Sequence, residues 1–159
     1  PGIIYVLVGD GKEKPALQQL AEKWYLRNVF FAPPVAKEGM RGVLAAADAC
    51  VAILKPIDLY KTTYPNKVFD YMAAGRPVLC AIDGVIRDVI ETAQAGVFVS
   101  PGDPAAMADA IRKLANARET GRKMGLNGRE YVEQHFNRHE IAAKMENLLR
   151  EYAAPRGGH

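Results

Sequence analysis

Cysteine is scarce in this chain, which has only two among its 159 residues. Cys50 and Cys80 both fall in apolar segments and show neither metal-binding nor redox spacing, so they indicate small buried side chains in a reducing compartment. Long apolar runs are also lacking, since none approaches the ~20 residues that a membrane-spanning helix needs. No signal-peptide pattern opens the sequence. These absences argue against a disulfide scaffold and predict no transmembrane helix.

A strong charge of one sign is lacking as well. The 21 Lys and Arg residues against 18 Asp and Glu residues give a net charge of +3, which is too small to indicate a nucleic-acid-binding protein. Six basic residues do cluster between positions 112 and 129: Arg112, Lys113, Arg118, Arg122, Lys123 and Arg129. They are typical of a solvated helical face, and also of a surface that contacts anionic lipid.

A metal site is not indicated either. His135 and His139 lie four residues apart, but Phe136 and Asn137 interrupt the helical pattern between them. No glutamate completes the zinc-binding pattern in which two histidines lie on one helical turn. We therefore expect these histidines to be ordinary side chains.

Short apolar segments alternate with amphipathic ones through the first hundred residues. The predicted strands are Ile3–Val8, Val29–Ala32, Ala49–Leu54, Val78–Ala81 and Val97–Val99, and the predicted helices are Glu13–Trp24, Glu38–Ala47, Lys67–Ala74 and Ile86–Ala93. The strands are apolar on both faces, as in a parallel sheet that is covered by helices on both sides. The order predicts an α/β fold with a Rossmann-like, doubly wound parallel sheet and ligands at the carboxyl ends of its strands.

After Val99 the pattern becomes purely helical. Asp103 precedes Pro104 as the cap of one predicted helix, and two more are predicted over Glu119–Gln134 and Arg138–Tyr152. The last helix carries an apolar stripe of Ile141, Met145, Leu148 and Tyr152. We expect this stripe to face the core, with partial exposure as the alternative. Residues 1–152 are predicted to form one domain, and residues 153–159 a frayed tail.

The stretch from Tyr64 to Leu79 suggests a binding site. Asn66 is expected to cap a helix whose first turn contains Lys67, a placement that the helix dipole disfavours unless an anion binds there. Asp70 lies three residues further on the same face and could accept a hydrogen bond from a sugar hydroxyl. Gly75 is expected to end the helix. The stretch therefore predicts a site for a sugar phosphate.

In this stretch the chain resembles the C-terminal, donor-binding half of the retaining group 1 (GT4) glycosyltransferases, which have the GT-B fold. Asp70 stands where the family has the second of two acidic residues, followed by Met72-Ala-Ala-Gly75-Arg-Pro77-Val78. The sequence around Asn66 is similar to that of a subgroup active in polysaccharide and surface-glycan assembly. Four further segments resemble the family: Ile4–Gly11, Asn28–Val35, Ala45–Leu54 and Gly96–Ala108.

The resemblance implies roles for several residues in binding a nucleotide-sugar donor. It places the ribose at Asp70, and the diphosphate and donor sugar at the loop amides around Pro65, Asn66 and Lys67. It also places the nucleotide base at backbone groups near Pro34 and Val35, and it counts the turn at Gly9 among the positions that bind the donor nucleotide. The first acidic position of the family falls on Thr62, which with Thr63 could bond a sugar hydroxyl or cap the loop locally. Catalytic residues are not assigned.

The function that the resemblance implies is transfer of a sugar, with retention, from a nucleotide diphosphate sugar to a glycan or lipid-linked acceptor. The donor is a substrate, for which a UDP-sugar is the choice suggested by its frequency in the family, and no cofactor or metal is expected. In such enzymes an N-terminal domain binds the acceptor, and a further strand and helix precede the region matched here. We therefore expect a gap or open edge in the sheet and no activity from the chain alone.

The resemblance also implies a cytoplasmic protein, with peripheral contact at the cytoplasmic face of the inner membrane as an alternative. Two other functions stay open from the sequence. One is a sugar-nucleotide epimerase domain, which shares the α/β architecture and a nucleotide site. The other is a non-catalytic nucleotide-sugar-binding module, which the threonine at an expected acidic position favours.

Overall fold

Five parallel strands and seven helices make up the computed structural model, which describes residues 2–153. The strands are β1 (Tyr5–Val8), β2 (Val29–Ala32), β3 (Cys50–Ile53), β4 (Val78–Ala81) and β5 (Gly96–Phe98). The helices are α1 (Lys14–Lys23), α2 (Met40–Ala46), α3 (Asn66–Ala73), α4 (Val85–Thr92), α5 (Pro104–Asn116), α6 (Arg118–His135) and α7 (Arg138–Ala153), with 3₁₀ turns at Lys37–Gly39 and Asp58–Thr62. Every predicted element is present. The predicted tail begins one residue early, since Ala153 is helical, and residues 154–159 lie outside the described range.

The strands form two separate sheets in the described part of the chain. β1 pairs only with β2, from Tyr5 opposite Val29 to Val8 opposite Ala32, while β4 lies between β3 and β5. In the doubly wound order 3-2-1-4-5-6, these strands correspond to the second through the sixth, which leaves the first position vacant between β1 and β3. The expected gap in the sheet is confirmed, and β1 and β3 each have an open edge.

The core surrounds β4, whose four residues are all buried. On one face of the three-stranded sheet, Cys80 and Ala52 pack with Val68 and Met72 of α3, with α4, and with Tyr131 and Val132 of α6. On the other face, Leu79 and Val99 pack against α5 through Ala110. β4 therefore has the apolar sequence of a strand covered on both faces, as predicted.

The β1–β2 sheet is much less covered. Between residues 2 and 49 no residue is fully buried, and Val6 and Phe30 are 58% and 52% exposed. A groove of about 400 Å³ lies between α1 and β2 and is lined by Ala21, Leu26 and Phe31 among others. This half of the molecule contributes little to the hydrophobic core.

The apolar stripe of α7 does not face the core. Ile141, Met145, Leu148 and Tyr152 are between 48% and 79% exposed, so the expected core-facing role is wrong. The pattern gave the helix and its apolar face correctly, but it did not show whether any other element covers that face. Within residues 2–153 no helix combines the length and apolarity needed to cross a membrane.

A row of glycines lets α6 approach the rest of the molecule closely. Gly121, Gly125 and Gly128 are all buried. A β-carbon on Gly128 would stand 3.0 Å from Ala95 and 3.3 Å from Met72. Because Met72 lies in α3, this row fixes α6 directly beneath the helix that carries the predicted site.

Candidate functional site

The start of α3 lies directly after the loop that leaves the carboxyl end of β3. Pro65, with φ −68° and ψ 119°, is the N-cap residue, and its carbonyl accepts the N–H of Val68 at 3.0 Å. Asn66 is already helical and its side chain makes no capping hydrogen bond, so its predicted role as the cap is wrong. The proline before it is set in an extended conformation, which moves the boundary of the helix one residue earlier.

The amides of Asn66 and Lys67 have no acceptor in the described structure, and α3 has no acidic residue in its first turn. Lys67 is half-buried, and its ammonium group donates to the carbonyl oxygen of Ile53, the last residue of β3, at 3.5 Å. Positive charge and unpaired N–H groups thus gather where β3 ends. This combination suits an anion.

Asp70 lies one turn further along α3, and its carboxylate is exposed. It forms no hydrogen bond or ion pair with any residue in the described range, so both of its oxygens can accept hydrogen bonds from a ligand. Its neighbour Tyr71 is half-buried, and burial, together with the charges of Cys50 and Asp70, raises the pKa of the Tyr71 hydroxyl. That phenol therefore stays protonated at neutral pH.

The far end of α3 is closed by Gly75, as predicted. Gly75 has φ +67°, its N–H donates to the carbonyl of Met72 at 2.8 Å, and the N–H of Arg76 donates to that of Tyr71 at 3.0 Å. This pair of bonds is a Schellman motif. Arg76 then turns away from the ligand edge, since it precedes β4 and donates to the carbonyl of Ala47 at 3.0 Å.

The loop between β3 and α3 forms its own local network. The hydroxyl groups of Thr62 and Thr63 both donate to the carbonyl of Leu59 at 3.2 Å, which is the local capping role left open from the sequence. Lys61 forms an exposed ion pair with Asp58 at 2.8 Å, and this hydrogen bond lowers the pKa of the Asp58 carboxyl. The two threonine oxygens keep lone pairs that a ligand could use.

A cavity of about 190 Å³ opens where β3, β4 and β5 end. Its wall includes the apolar residues Leu54, Ile57, Ile82 and Pro101 and the polar residues Lys55, Tyr60, Lys61 and Asp83. The loop between β3 and α3 lies very close to the turn between β4 and α4. A β-carbon on Gly84 would stand only 2.1 Å from the carbonyl oxygen of Lys61. Asp83 and Glu91 both pair with Arg87, which lies 4.1 Å from the centre of the Phe98 ring.

The predicted residues Gly9, Pro34 and Val35 lie at the carboxyl ends of β1 and β2. Gly9 follows β1 directly and begins a tight turn in which the carboxylate of Asp10 accepts the N–H of Gly11 at 2.9 Å. Lys14, in the first turn of α1, donates from its ammonium group to the carbonyl of Gly9 at 2.7 Å and to that of Ala32 at 3.1 Å. One lysine therefore joins both predicted base-binding segments.

The structure arranges the predicted residues in two groups, each at the carboxyl ends of one sheet. Gly9, Pro34 and Val35 belong to the β1–β2 sheet, while residues 62–70 follow β3. Lys14 is not among the residues predicted from the sequence, although a lysine in the first turn of a helix is the same signal that singled out Lys67. Within residues 2–153 no three of the residues that commonly bind metals come together as a metal site.

Comparison with known proteins places this geometry in a family context. A family model described as "Glycosyl transferases group 1" matches residues 2–117. The D-inositol 3-phosphate glycosyltransferase of Nocardia farcinica is 30% identical over 148 residues, which are 92% of this chain and 31% of that protein. The chain thus spans about a third of the length of the curated relatives that it matches.

Two solved structures share the fold. Sucrose-phosphate synthase from Thermosynechococcus elongatus matches 94% of this chain with a TM-score of 0.81 and 28% identity, and this chain covers 38% of it. Anabaena HepE in complex with UDP-glucose matches 95% of this chain with a TM-score of 0.78, and this chain covers 42% of it. At 20% identity, the second match is a likeness of fold alone.

Proposed function

Because this chain belongs to the group 1 glycosyltransferases, we propose that it is the donor-binding domain of a glycosyltransferase that acts on a nucleotide diphosphate sugar. The observation that carries this proposal is the half-buried Lys67 at the start of α3, beside two unpaired backbone amides at the end of β3. In sugar transfer the departing diphosphate gains negative charge, which a fixed cation and N–H donors stabilise.

Other residues have complementary roles in this proposal. Asp70 accepts hydrogen bonds from the ribose hydroxyls, since its carboxylate is exposed and free of protein partners. The backbone near Pro34 and Val35, together with the turn at Gly9, contacts the base. A UDP-sugar is the proposed donor, and the binding of UDP-glucose by HepE supports this choice.

Transfer proceeds with retention, to a glycan or lipid-linked acceptor held by another part of a longer protein. This proposal rests on family resemblance and on the chain's spanning about a third of its curated relatives. The same reasoning gives a cytoplasmic location, with peripheral membrane contact, and no turnover by the chain alone. A transfer assay in which the isolated chain consumes donor and glycosylates an acceptor would overturn the last point.

The test of donor binding is the thermal midpoint of the chain with UDP, GDP, ADP and their sugar conjugates. A ligand at about 100 times its Kd stabilises the native state by about 2.7 kcal/mol, which raises the midpoint by several degrees. The rise should disappear in Asp70→Ala and persist in Asp109→Ala, where the removed carboxylate pairs with Arg112 on the outer surface of α5. A chain that no nucleotide stabilises would contradict the proposal.

A second candidate is a module that binds donor without transferring the sugar. It is favoured by Thr62, which replaces an expected acid and whose hydroxyl donates to the carbonyl of Leu59. An assay of the longer protein with donor and acceptor distinguishes the two functions. Donor binding without product, in the presence of acceptor, would favour the module, whereas glycosylated product would favour the enzyme.

A further inference from the structure

Lys14 lies in an unusual setting for a lysine. Its ammonium group caps the ends of two neighbouring strands, bonding the carbonyls of Gly9 and Ala32 at 2.7 and 3.1 Å. The carbonyl of Ala32 also accepts the N–H of Gly9 at 3.3 Å, so that oxygen accepts from two donors. Lys14 is half-buried and forms no ion pair with the residues from 2 to 153. Within the described structure, the ammonium group is therefore bonded to neutral carbonyl groups and not to a carboxylate.

An ammonium group has three N–H donors and no acceptor, and the two strand carbonyls use two of them. One charged donor remains, at the carboxyl edge of the sheet, where doubly wound folds bind ligands. A half-buried cation without a carboxylate favours an oxygen ligand that is rich in electron density. The proposed diphosphate already has Lys67 and the amides of α3 at the other sheet.

Building on the proposed function, we propose that Lys14 selects the base of the donor nucleotide by donating its third N–H to a ring keto oxygen. Lys14 joins the turn at Gly9 to the end of β2, and Pro34 and Val35 follow that strand directly. The third donor thus belongs to the part of the edge to which the proposed function assigns the base. Uracil carries such an oxygen at C4 and guanine carries one at C6, and either can accept this bond.

Cytosine carries an amino group at C4 and adenine carries one at C6, and the C2 keto oxygen of cytosine is also present in uracil and so does not distinguish the two pyrimidines. An amino group is itself a donor, so it cannot accept the third N–H of Lys14. Its partly positive hydrogens also repel the ammonium group. The chain should therefore bind UDP more tightly than CDP, and GDP more tightly than ADP. The comparison of UDP with CDP is the sharper one, because the two pyrimidine rings have the same size.

Lys14 also has a structural role in holding the two loops together, and the experiment must separate the two roles. If Lys14 only held the two loops together, its removal would weaken the binding of all four nucleotides by the same factor. If Lys14 also contacts the base, its removal would specifically weaken the binding of UDP and GDP. The ratio of the UDP and CDP dissociation constants is therefore the decisive quantity, because a purely structural role leaves it unchanged.

The experiment is calorimetric titration of the whole chain with the four nucleoside diphosphates. The wild type should favour UDP over CDP by about tenfold, as expected for one charged hydrogen bond. Lys14→Met, which keeps the apolar stem and removes the donors, should bring this ratio close to one. Lys67→Met is the matched control, since it should weaken all four nucleotides and keep the ratio.

Each outcome decides the inference. A wild type without a preference for keto bases overturns it even if Lys14→Met does not fold, and so does a Lys14→Met variant that keeps the preference. Failure of the wild type to bind any nucleotide overturns both the inference and the proposed function. Binding that is lost in Asp70→Ala but shows no keto preference leaves the proposed function standing and removes this inference alone.

Discussion

The carbonyl oxygen of Gly75 lies 2.1 Å from the point where a β-carbon on Gly125 would stand. The backbone of α6 therefore passes the end of α3 with no side chain between them. Since α3 carries Lys67 and Asp70, the position of the candidate site depends on this glycine contact. The position of α6 thus bears on ligand binding although α6 itself lies outside the site.

Gly125→Ala should destabilise the chain, because the added methyl group forces α6 away from a backbone atom that cannot yield. Overpacking of this kind costs about 1–3 kcal/mol, which lowers the thermal midpoint by about 2–4 °C for each kcal/mol. Gly42→Ala is the control, since Gly42 lies in α2 with open space around it, and alanine there should be neutral or stabilising. Equal midpoints for the two variants would contradict the prediction.

Gly84→Ala should detach the 58–62 segment from the β4–α4 turn. Gly84 has φ +93°, and its added β-carbon would meet the carbonyl of Lys61, so strain and a clash combine. Faster tryptic cleavage after Lys61 is the expected result. Gly102→Ala controls for the strain alone, since Gly102 has φ +83° with nothing within 4 Å, and it should leave that cleavage unchanged.

Stability should fall at alkaline pH because of Cys50. Burial raises the pKa of the Cys50 thiol from its ordinary 9.0 to about 11, partly offset by the charge of Arg76. Because the folded state favours the neutral thiol, this group contributes its full stabilisation below pH 9. The contribution is lost as the pH rises through about 11 and the thiol ionises in the folded state as well. Urea unfolding at pH 8 and pH 10.5 should show a smaller loss of unfolding free energy for Cys50→Ala than for wild type. An identical loss would refute the assignment.

The two sheets should differ in hydrogen exchange. None of residues 2–49 is fully buried, whereas β4 is buried along its whole length. Local opening of β1 and β2 therefore costs less free energy than opening of β4. Mass spectrometry should show peptides that cover 29–32 exchanging well before those that cover 78–81. Similar protection of both sheets would mean that the β1–β2 sheet is held by contacts other than core burial.

Local signals in the sequence determined most of the fold. The bounds of β2 and β4 were predicted to the residue, because each is a short apolar run between clear breaks. The cap at Asp103 was also predictable, and its carboxylate accepts the N–H of Ala106 at 2.8 Å. The expected gap in the sheet came from family resemblance rather than from any local pattern.

Long-range contacts limited what the sequence could show about the site. Lys14 and Ala32 are eighteen residues apart, and a lysine bonded to backbone carbonyls leaves no pattern among side chains. The cap of α3 was misplaced because Asn66 is a good cap by residue type, while the extended Pro65 takes that position. The exposure of Leu148 on α7 depends on what covers the helix, which periodicity does not encode.

The open edges of β1 and β3 have a practical consequence for handling the protein. Each edge offers unpaired main-chain groups beside exposed apolar side chains such as Val6 and Ile53, which makes it a template for a strand from another copy. Concentrated or warmed samples should therefore aggregate through β-sheet addition before their helices melt. Val6→Lys should slow that aggregation, because a charged side chain on an edge strand opposes such pairing.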